Sequence, residues 1–297
     1  MTGPRRDGEP GGGKYGCVVL TQGTRSDELR EGLRSVQRQR TVEVDCVVVG
    51  NGWRPDGLPA GIRALALPEN VGIPAGRNAG IPEVSGDLVL FLDDDARLAE
   101  DDFLARAAAL FDADPTLGVV QPRVVDPDGR PAPRRWVPRL RVGDPARSSA
   151  VTALWEGAVV ARRSALERTG AWPDGFFYAH EGIDLAWRMI ATGYRVEYRG
   201  DLLAHHPAVI PTRHGYFHYL SARNRVWLAR RNLPLPLAVG YVSVWFLLTA
   251  ARWRRVRDAR EALRGFRDGL TGPCGLRRPM SWTAVWRMTR AGRPPLI

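Results

Sequence analysis

Continuous apolar runs alternate along the chain with segments whose apolar residues recur at helical spacing. Runs of this kind, without polar alternation, are typical of strands covered on both faces of a parallel sheet. The predicted strands or core segments are residues 15–21, 42–49, 62–67, 88–92, 118–125, 155–163 and 194–198. The predicted helices include one that begins at residue 26 and others at 103–111 and 183–192. This alternation predicts an α/β fold with an open, mostly parallel sheet flanked by helices.

Three consecutive acids follow the apolar run 88–92. Asp93, Asp94 and Asp95 stand at the carboxyl end of that predicted strand, which is the edge where open α/β sheets bind ligands. Neighbouring carboxylates repel one another strongly unless a cation lies between them. Because hard oxygen ligands suit Mg²⁺ or Mn²⁺, the triplet predicts a divalent metal site, with a solvated acidic turn as the alternative.

The composition indicates a basic protein that resides in a reducing compartment. The net charge of +11 is almost entirely due to arginine, since Lys14 is the only lysine. Such a charge predicts an acidic partner: a nucleotide, a nucleic acid or an anionic membrane. The three cysteines lack the spacing of a disulfide or zinc framework. Residues 1–14 are rich in glycine, proline and charge, and are predicted to be a disordered leader without a signal peptide.

Six short motifs occur in a recognisable order. They are Val18–Thr21 with Arg25, Asn70 and Gly72 with Gly76-Arg77-Asn78, the acid triplet, Gly157 with Arg162-Arg163, Glu181 with Asp184-Leu185 and Arg188, and Arg223-Asn224. Together they resemble the family 2 glycosyltransferases of GT-A fold, in particular the bacterial rhamnosyl- and galactofuranosyl-transferases. The resemblance divides the chain into a GT-A catalytic domain at residues 15–230 and a helical, basic C-terminal region at 231–297.

The resemblance implies an enzyme that moves a sugar from a nucleotide-diphosphate donor, of UDP or dTDP type, with inversion. The acceptor would be a hydroxyl of a glycan, a lipid-linked sugar or a small molecule. The implied metal ligands are Asp93, Asp95 and His206, and bound Mn²⁺ or Mg²⁺ would neutralise charge on the departing diphosphate. The implied contacts to the nucleotide sugar are Thr21, Arg25, Asn51, Asn70, Gly72, Arg77, Asn78, Asp93, Asp94, Gly157 and Arg223.

An inverting transfer also needs a base on the acceptor hydroxyl. The family pattern has an acid at the position of Gly182, so Glu181 is the expected catalytic base here. His180 is a competing proton acceptor. Asp184, the second residue assigned to catalysis, is expected to orient the start of the helix. Gly50 similarly replaces the acid that the family usually offers to the base of the nucleotide.

The C-terminal region has an apolar segment followed by a basic one. Residues 233–251 are uncharged and approach the length of a membrane span, but Pro234, Pro236 and Gly240 shorten the continuous helix. From Arg252 onward there are twelve arginines and three acids. The pattern favours peripheral contact with an anionic membrane, at the cytoplasmic inner face. A core helix, a homodimer contact and a true span are the alternatives.

Other functions are compatible with parts of the sequence. A non-catalytic sugar-nucleotide binder is suggested by the two glycines that replace acids. A sugar-phosphate nucleotidyltransferase would want a basic glycine-rich loop after the first strand, and residues 22–25 match one poorly. Nucleic-acid binding is suggested by basicity alone, and no recognition motif accompanies it, so no nucleic-acid partner is predicted.

Overall fold

A computed structural model describes residues 13–208 and 216–296. The strands are β1 (Lys14–Thr21), β2 (Glu43–Asn51), β3 (Arg63–Leu67), β4 (Leu88–Asp93), β5 (Arg97–Leu98), β6 (Leu117–Val125), β7 (Ser149–Ala150), β8 (Ala158–Arg162) and β9 (Arg195–His205). The helices are α1 (Ser26–Gln37), α2 (Ile73–Gly80), α3 (Phe103–Ala113), α4 (Arg163–Thr169), α5 (Glu181–Ala191), α6 (Phe217–Asn232), α7 (Leu235–Ala250), α8 (Val256–Thr271) and α9 (Trp282–Arg290). Most of the predicted leader, residues 1–12, lies outside the described residues.

One continuous sheet has the strand order β3-β2-β1-β4-β8-β6-β9-β5, with β7 paired to β9. β1 runs parallel to both β2 and β4, as the sequence predicts. β8 runs antiparallel between β4 and β6, which is a reversal within a sheet whose longer pairings are mostly parallel. An apolar run is equally well buried in either direction, which is why the apolar pattern did not reveal this reversal. The α/β class and the flanking helices are confirmed.

Helices cover both faces of the sheet because successive strand residues point to opposite sides. On β1, Val18 and Leu20 belong to one hydrophobic layer, together with buried residues of α5, α6, α7 and α9. Cys17 and Val19 belong to the other layer, which α1 and α3 complete. The core is therefore divided between two layers, and the carboxyl ends of β1 and β4 meet at one edge between them.

The C-terminal helices pack against the sheet domain. Tyr241 of α7 is buried, and its ring meets that of Trp187 on α5 edge-on at 5.6 Å. Met288 of α9 is buried in the same layer, and Phe266 of α8 packs with Val226 of α6. The predicted boundary at residue 230 falls inside α6. The division into two regions therefore stays a prediction, while the core contact weighed as an alternative for the apolar segment is present.

Part of the C-terminal apolar surface is nevertheless exposed. On α7, Leu235, Val239 and Leu247 are exposed, and on α9 Trp282 and Trp286 are more than half exposed. Among the residues that the structure describes, no helix combines the length and the apolar character required to traverse a bilayer.

Candidate active site

The acid triplet lies at the centre of the sheet edge. Asp93 ends β4, and its backbone amide donates to the carbonyl of Gly157 at 2.8 Å, which ties β4 to the segment entering β8. A tight turn follows, in which the amide of Ala96 donates to the carbonyl of Asp93 at 3.0 Å. The side chains of Asp94 and Asp95 are nearly buried in this turn. Three carboxylates are thus held within one small volume by backbone hydrogen bonds.

A histidine that directly follows the distant strand β9 completes a candidate metal-binding group. Asp93, Asp95 and His206 each offer one ligand atom, and these atoms lie within 4.8 Å of one another. Nε2 of His206 is 2.9 Å from Oδ1 of Asp95. The imidazole is fixed by edge-on contacts with the rings of Trp136 and Trp155. Two carboxylates and one imidazole fit Mn²⁺ or Mg²⁺ and leave coordination positions for phosphate oxygens.

The charges of this group are coupled. Burial alone would raise the pKa of Asp95, but His206 and Arg25 outweigh it and hold that pKa below its usual value. Burial would likewise lower the pKa of His206, and contact with Asp95 raises it instead. For Asp94, burial and the neighbouring acids prevail over Thr21 and Arg25, and they raise the pKa to about 6. The acids therefore depend on nearby cations to remain ionised.

Thr21 and Arg25, expected to contact the nucleotide, lie against the acids. Oγ1 of Thr21 donates to Oδ2 of Asp94 at 2.6 Å. The Nη1 atom of Arg25 lies 3.1 Å from Oδ1 of Asp94 and 2.7 Å from Oδ2 of Asp95. The end of β1 and the residue before α1 thus lie at the same sheet edge as the triplet.

Asn51, Asn70 and Gly72 form a second group at the ends of β2 and α2. Nδ2 of Asn51 donates to Oδ1 of Asn70 at 2.9 Å and to the carbonyl of Gly72 at 3.3 Å. Gly72 has φ of +88°, and a Cβ there would come within 2.6 Å of the backbone of Phe177. Only glycine tolerates both conditions, so this turn can lie directly against the loop that leads to Glu181.

Arg77 links the candidate metal ligand Asp93 to the interior. Its side chain is only 2% exposed, lies over the ring of Trp172, and donates to Oδ1 of Asp93 at 2.7 Å and to the carbonyl of Glu156 at 3.0 Å. Its neighbour Asn78 instead exchanges hydrogen bonds with the backbone of Trp172. Arg77 therefore lies against the candidate metal ligand Asp93, whereas the contacts of Asn78 hold the loop that contains Trp172.

Arg223 lies apart from the acids. It donates to the carbonyls of Gly175 and Phe176 and stacks on Trp227 at 4.1 Å. The adjacent Asn224, to which the sequence argument gave no role, donates to the carbonyls of Phe176, Tyr178 and Ala179. Asn224 could have been recognised from the sequence because it belongs to the Arg223-Asn224 motif. Both residues hold the loop before Glu181, in which Phe177, Ala179 and His180 have positive φ.

Glu181 begins α5 and is buried, and its Oε2 has no hydrogen-bond partner among the described residues. Burial raises its pKa, Arg77 opposes that rise, and Asp93 is close enough for its charge to add to it. A second carboxyl that the sequence argument did not single out, Glu156, accepts from the amide of Gly182 at 2.6 Å. In the sequence, the feature that could have drawn attention to Glu156 is its position directly before Gly157 of the motif. A pair of carboxyls therefore lies beside Arg77.

Asp184 and His180 have their own partners. Asp184 is fully buried, and its carboxylate contacts Arg188 at 2.7 Å, Arg231 at 3.1 Å and Nδ2 of Asn232 at 2.8 Å. These contacts hold α5 to α6 and occupy both oxygens, so this carboxylate orients the helix and is unavailable as a base. Burial lowers the pKa of His180 to about 3, and its Nε2 lies 3.4 Å from Arg225.

The sequence profile described as "Glycosyl transferase family 2" matches residues 17–170. The chain belongs to this family. A curated relative, the pre-mycofactocin glycosyltransferase of Mycobacterium tuberculosis, is 27% identical over 195 residues. That alignment covers 61% of this chain and only 41% of the relative, so this family 2 chain spans less than half of the relative's length.

Solved structures share the fold of this family 2 chain. The mannosyltransferase PcManGT from Pyrobaculum calidifontis, in complex with GDP-Man and Mn²⁺, has a TM-score of 0.54 at 20% identity, over 94% of this chain and 86% of that one. GalNAc-T7 with UDP, GalNAc and Mn²⁺ has a TM-score of 0.62 at 14% identity, over 87% and 56% of the two chains. At such identities the likeness concerns the fold alone. The family and GT-A fold expected from the sequence are confirmed.

Proposed function

We propose that the protein is a metal-dependent, inverting glycosyltransferase that moves a sugar from a nucleotide-diphosphate donor to an acceptor hydroxyl. The observation that carries this proposal is the convergence of Asp93, Asp95 and His206 within 4.8 Å at the carboxyl edge of the sheet. Arg77 joins this group to Glu156 through its hydrogen bonds to Asp93 and to the backbone carbonyl of Glu156. The proposed leaving-group site and the proposed proton acceptor are therefore linked through Arg77.

Different residues would contact the donor and the acceptor. The ends of β1 and β2, with Thr21, Arg25 and Asn51, supply the nucleotide side of the cleft. When bound, Mn²⁺ or Mg²⁺ would supply Lewis-acid charge neutralisation at the diphosphate. Arg77 adds a buried cation beside Asp93 that favours the same anion. A carboxylate at the start of α5, for which the sequence favours Glu181, takes the proton of the acceptor hydroxyl.

A donor of UDP or dTDP type was expected, and relatives of the fold bind GDP-Man or UDP according to their structures. The test therefore uses a panel of UDP-glucose, UDP-N-acetylglucosamine, GDP-mannose and dTDP-rhamnose with Mn²⁺, and measures release of the nucleoside diphosphate. We expect turnover with at least one donor and its loss by about 10²-fold or more in Asp95→Asn. Asp27→Asn, an exposed acid on α1, is the matched control. Binding without turnover across the panel would instead support the non-catalytic binder.

We also propose that the C-terminal helices contact an anionic membrane from the cytoplasmic side. Exposed apolar residues on α7 and two exposed tryptophans on α9 lie in a segment that carries a large excess of arginine. Tryptophan is favoured at the boundary between headgroups and acyl chains, and arginine is attracted to anionic lipid. Such a contact would place the enzyme on the membrane that carries a lipid-linked acceptor.

A further inference from the structure

Resting on the proposed function, we infer that Glu156 is the catalytic base, in the place where this chain has Gly182 instead of an acid. A Cβ built at Gly182 would lie 2.2 Å from Oε1 of Glu156 and 2.6 Å from its Cδ and Cγ. All three of its nearest atoms therefore belong to Glu156. The carboxyl of Glu156 therefore occupies the space that a side chain at position 182 would fill.

The backbone does not by itself require glycine at position 182. Gly182 lies in the first turn of α5 and is not among the residues with positive φ. Several other glycines, such as Gly72, do have positive φ and need glycine for that reason. What glycine at position 182 provides is room for the side chain of Glu156. A side chain at position 182 would displace the carboxyl of Glu156 from the place it occupies here.

Glu156 is the more accessible residue of the carboxyl pair. Glu156 is partly exposed, whereas Glu181 is 4% exposed and one of its oxygens is enclosed without a partner. Burial and the charge of Glu181 raise the pKa of Glu156 to about 8, against the opposing effects of Arg77 and the Gly182 amide. A carboxylate with a raised pKa is a stronger base near neutral pH. Glu181 then acts as the neighbouring charge that maintains this basicity.

Proton transfer to Glu156 accompanies the substitution at the anomeric carbon. The ionised Glu156 removes the proton of the acceptor hydroxyl while the acceptor oxygen forms a bond to the anomeric carbon. The bond from that carbon to the phosphate oxygen breaks, and its electron pair leaves with the nucleoside diphosphate. The products are the glycoside, the diphosphate and a protonated Glu156, which returns its proton to solvent.

A purely structural role is the competing explanation, because the Glu156 carboxyl also accepts from the amide of Gly182 at the start of α5. Glu156→Gln separates the two roles. Its amide oxygen can still accept that hydrogen bond, but the side chain can no longer take a proton. A structural role predicts near-normal turnover in this variant, whereas a base predicts loss.

The experiment compares wild type, Glu156→Gln, Glu181→Gln, Glu156→Ala and the double variant Glu156→Ala/Gly182→Asp in the full chain. Release of nucleoside diphosphate from the active donor with Mn²⁺ is measured beside Mn²⁺-dependent UDP binding and the melting temperature. We expect Glu156→Gln to lose about 10²- to 10⁴-fold in turnover while UDP binding is unchanged. The double variant, which restores a carboxylate from the helix side, should recover at least about tenfold over Glu156→Ala.

The outcomes are distinct. Turnover in Glu156→Gln within tenfold of wild type, with Glu181→Gln inactive, would overturn the inference and return the role to Glu181. Loss of turnover in Glu156→Gln together with a comparable loss of Mn²⁺-dependent UDP binding would assign Glu156 to positioning and also overturn the inference. If Glu156→Gln does not fold, recovery in the double variant decides. A wild type that binds UDP but turns over no donor would remove the proposed function itself.

Discussion

The imidazole of His206 lies 2.9 Å from the carboxylate of Asp95, although the two belong to β-strand ends far apart in the chain. β9 carries His206 to this point because it runs parallel to β6 and extends through His205. The neighbouring His205 pairs in register with Arg97 on β5 and is not part of the group of metal-binding atoms. Two adjacent histidines therefore have different surroundings, and they provide a matched pair.

His206→Ala should weaken Mn²⁺ binding, whereas His205→Ala should leave it unchanged. Loss of a residue that only supports a metal ligand lowers metal affinity by about 10- to 100-fold. We expect removal of the imidazole itself to lower Mn²⁺ affinity by at least as much. Calorimetric titration of Mn²⁺ in the presence of UDP measures both variants. Equal affinities in the two variants would show that His206 is not a ligand.

Asp184→Asn should destabilise the protein strongly. It removes the one buried negative charge that Arg188 and Arg231 share, and breaking a buried ion pair leaves uncompensated charge. We expect the free energy of unfolding in urea to fall by about 3 kcal/mol. Asp27→Asn, which breaks an exposed pair with Arg30, should change it by less than about 0.5 kcal/mol. Similar small losses in both variants would contradict the role of Asp184 in holding α5 to α6.

Stability should fall with rising pH because of Glu156. Its pKa is raised from the usual 4.5 to about 8 by burial and by Glu181, with Arg77 opposing. Between these two values the folded protein holds a proton that the unfolded chain has released, so the free energy of unfolding decreases as the pH rises through this window. Urea unfolding near pH 5 and pH 8 measures the decrease.

Glu156→Gln is the control for this dependence, because its amide does not titrate. The variant should show a smaller decrease in unfolding free energy across the same window. What remains would come from groups that both proteins share, such as Asp94, whose pKa is raised to about 6. Parallel pH curves for wild type and variant would mean that Glu156 titrates normally.

Membrane contact should depend on the exposed tryptophans of α9. Trp282→Ser/Trp286→Ser should reduce co-sedimentation with phosphatidylglycerol-containing vesicles by roughly fivefold or more, which corresponds to about 40 Å² of buried apolar surface. Leu140→Ser, an exposed apolar residue in another segment, is the control. Deleting the C-terminal region is unsuitable, because Tyr241 and Met288 belong to the core. Unchanged binding by the double variant would remove the proposed contact.

The sequence predicted well what local patterns determine. Buried apolar runs located the principal strands, and the acids after β4 fell at the sheet edge because strand ends converge there. The direction of β8 and the partners of Asp184 were not predictable, since both depend on contacts between distant segments. The same holds for Glu156, whose meaning appears only when α5 brings Gly182 against it. From the sequence alone, nothing distinguishes Glu156 from the other acids of the chain, and nothing links it to the acid that is absent at position 182.

The central claim is that Asp93, Asp95 and His206 hold a divalent cation beside the leaving diphosphate. Anomalous X-ray scattering from crystals grown with Mn²⁺ and UDP tests it directly. We expect a manganese peak within about 2.6 Å of ligand atoms from all three side chains and in contact with the diphosphate. A diphosphate bound in the cleft with no peak among these three residues, or with manganese bound elsewhere, would contradict the account.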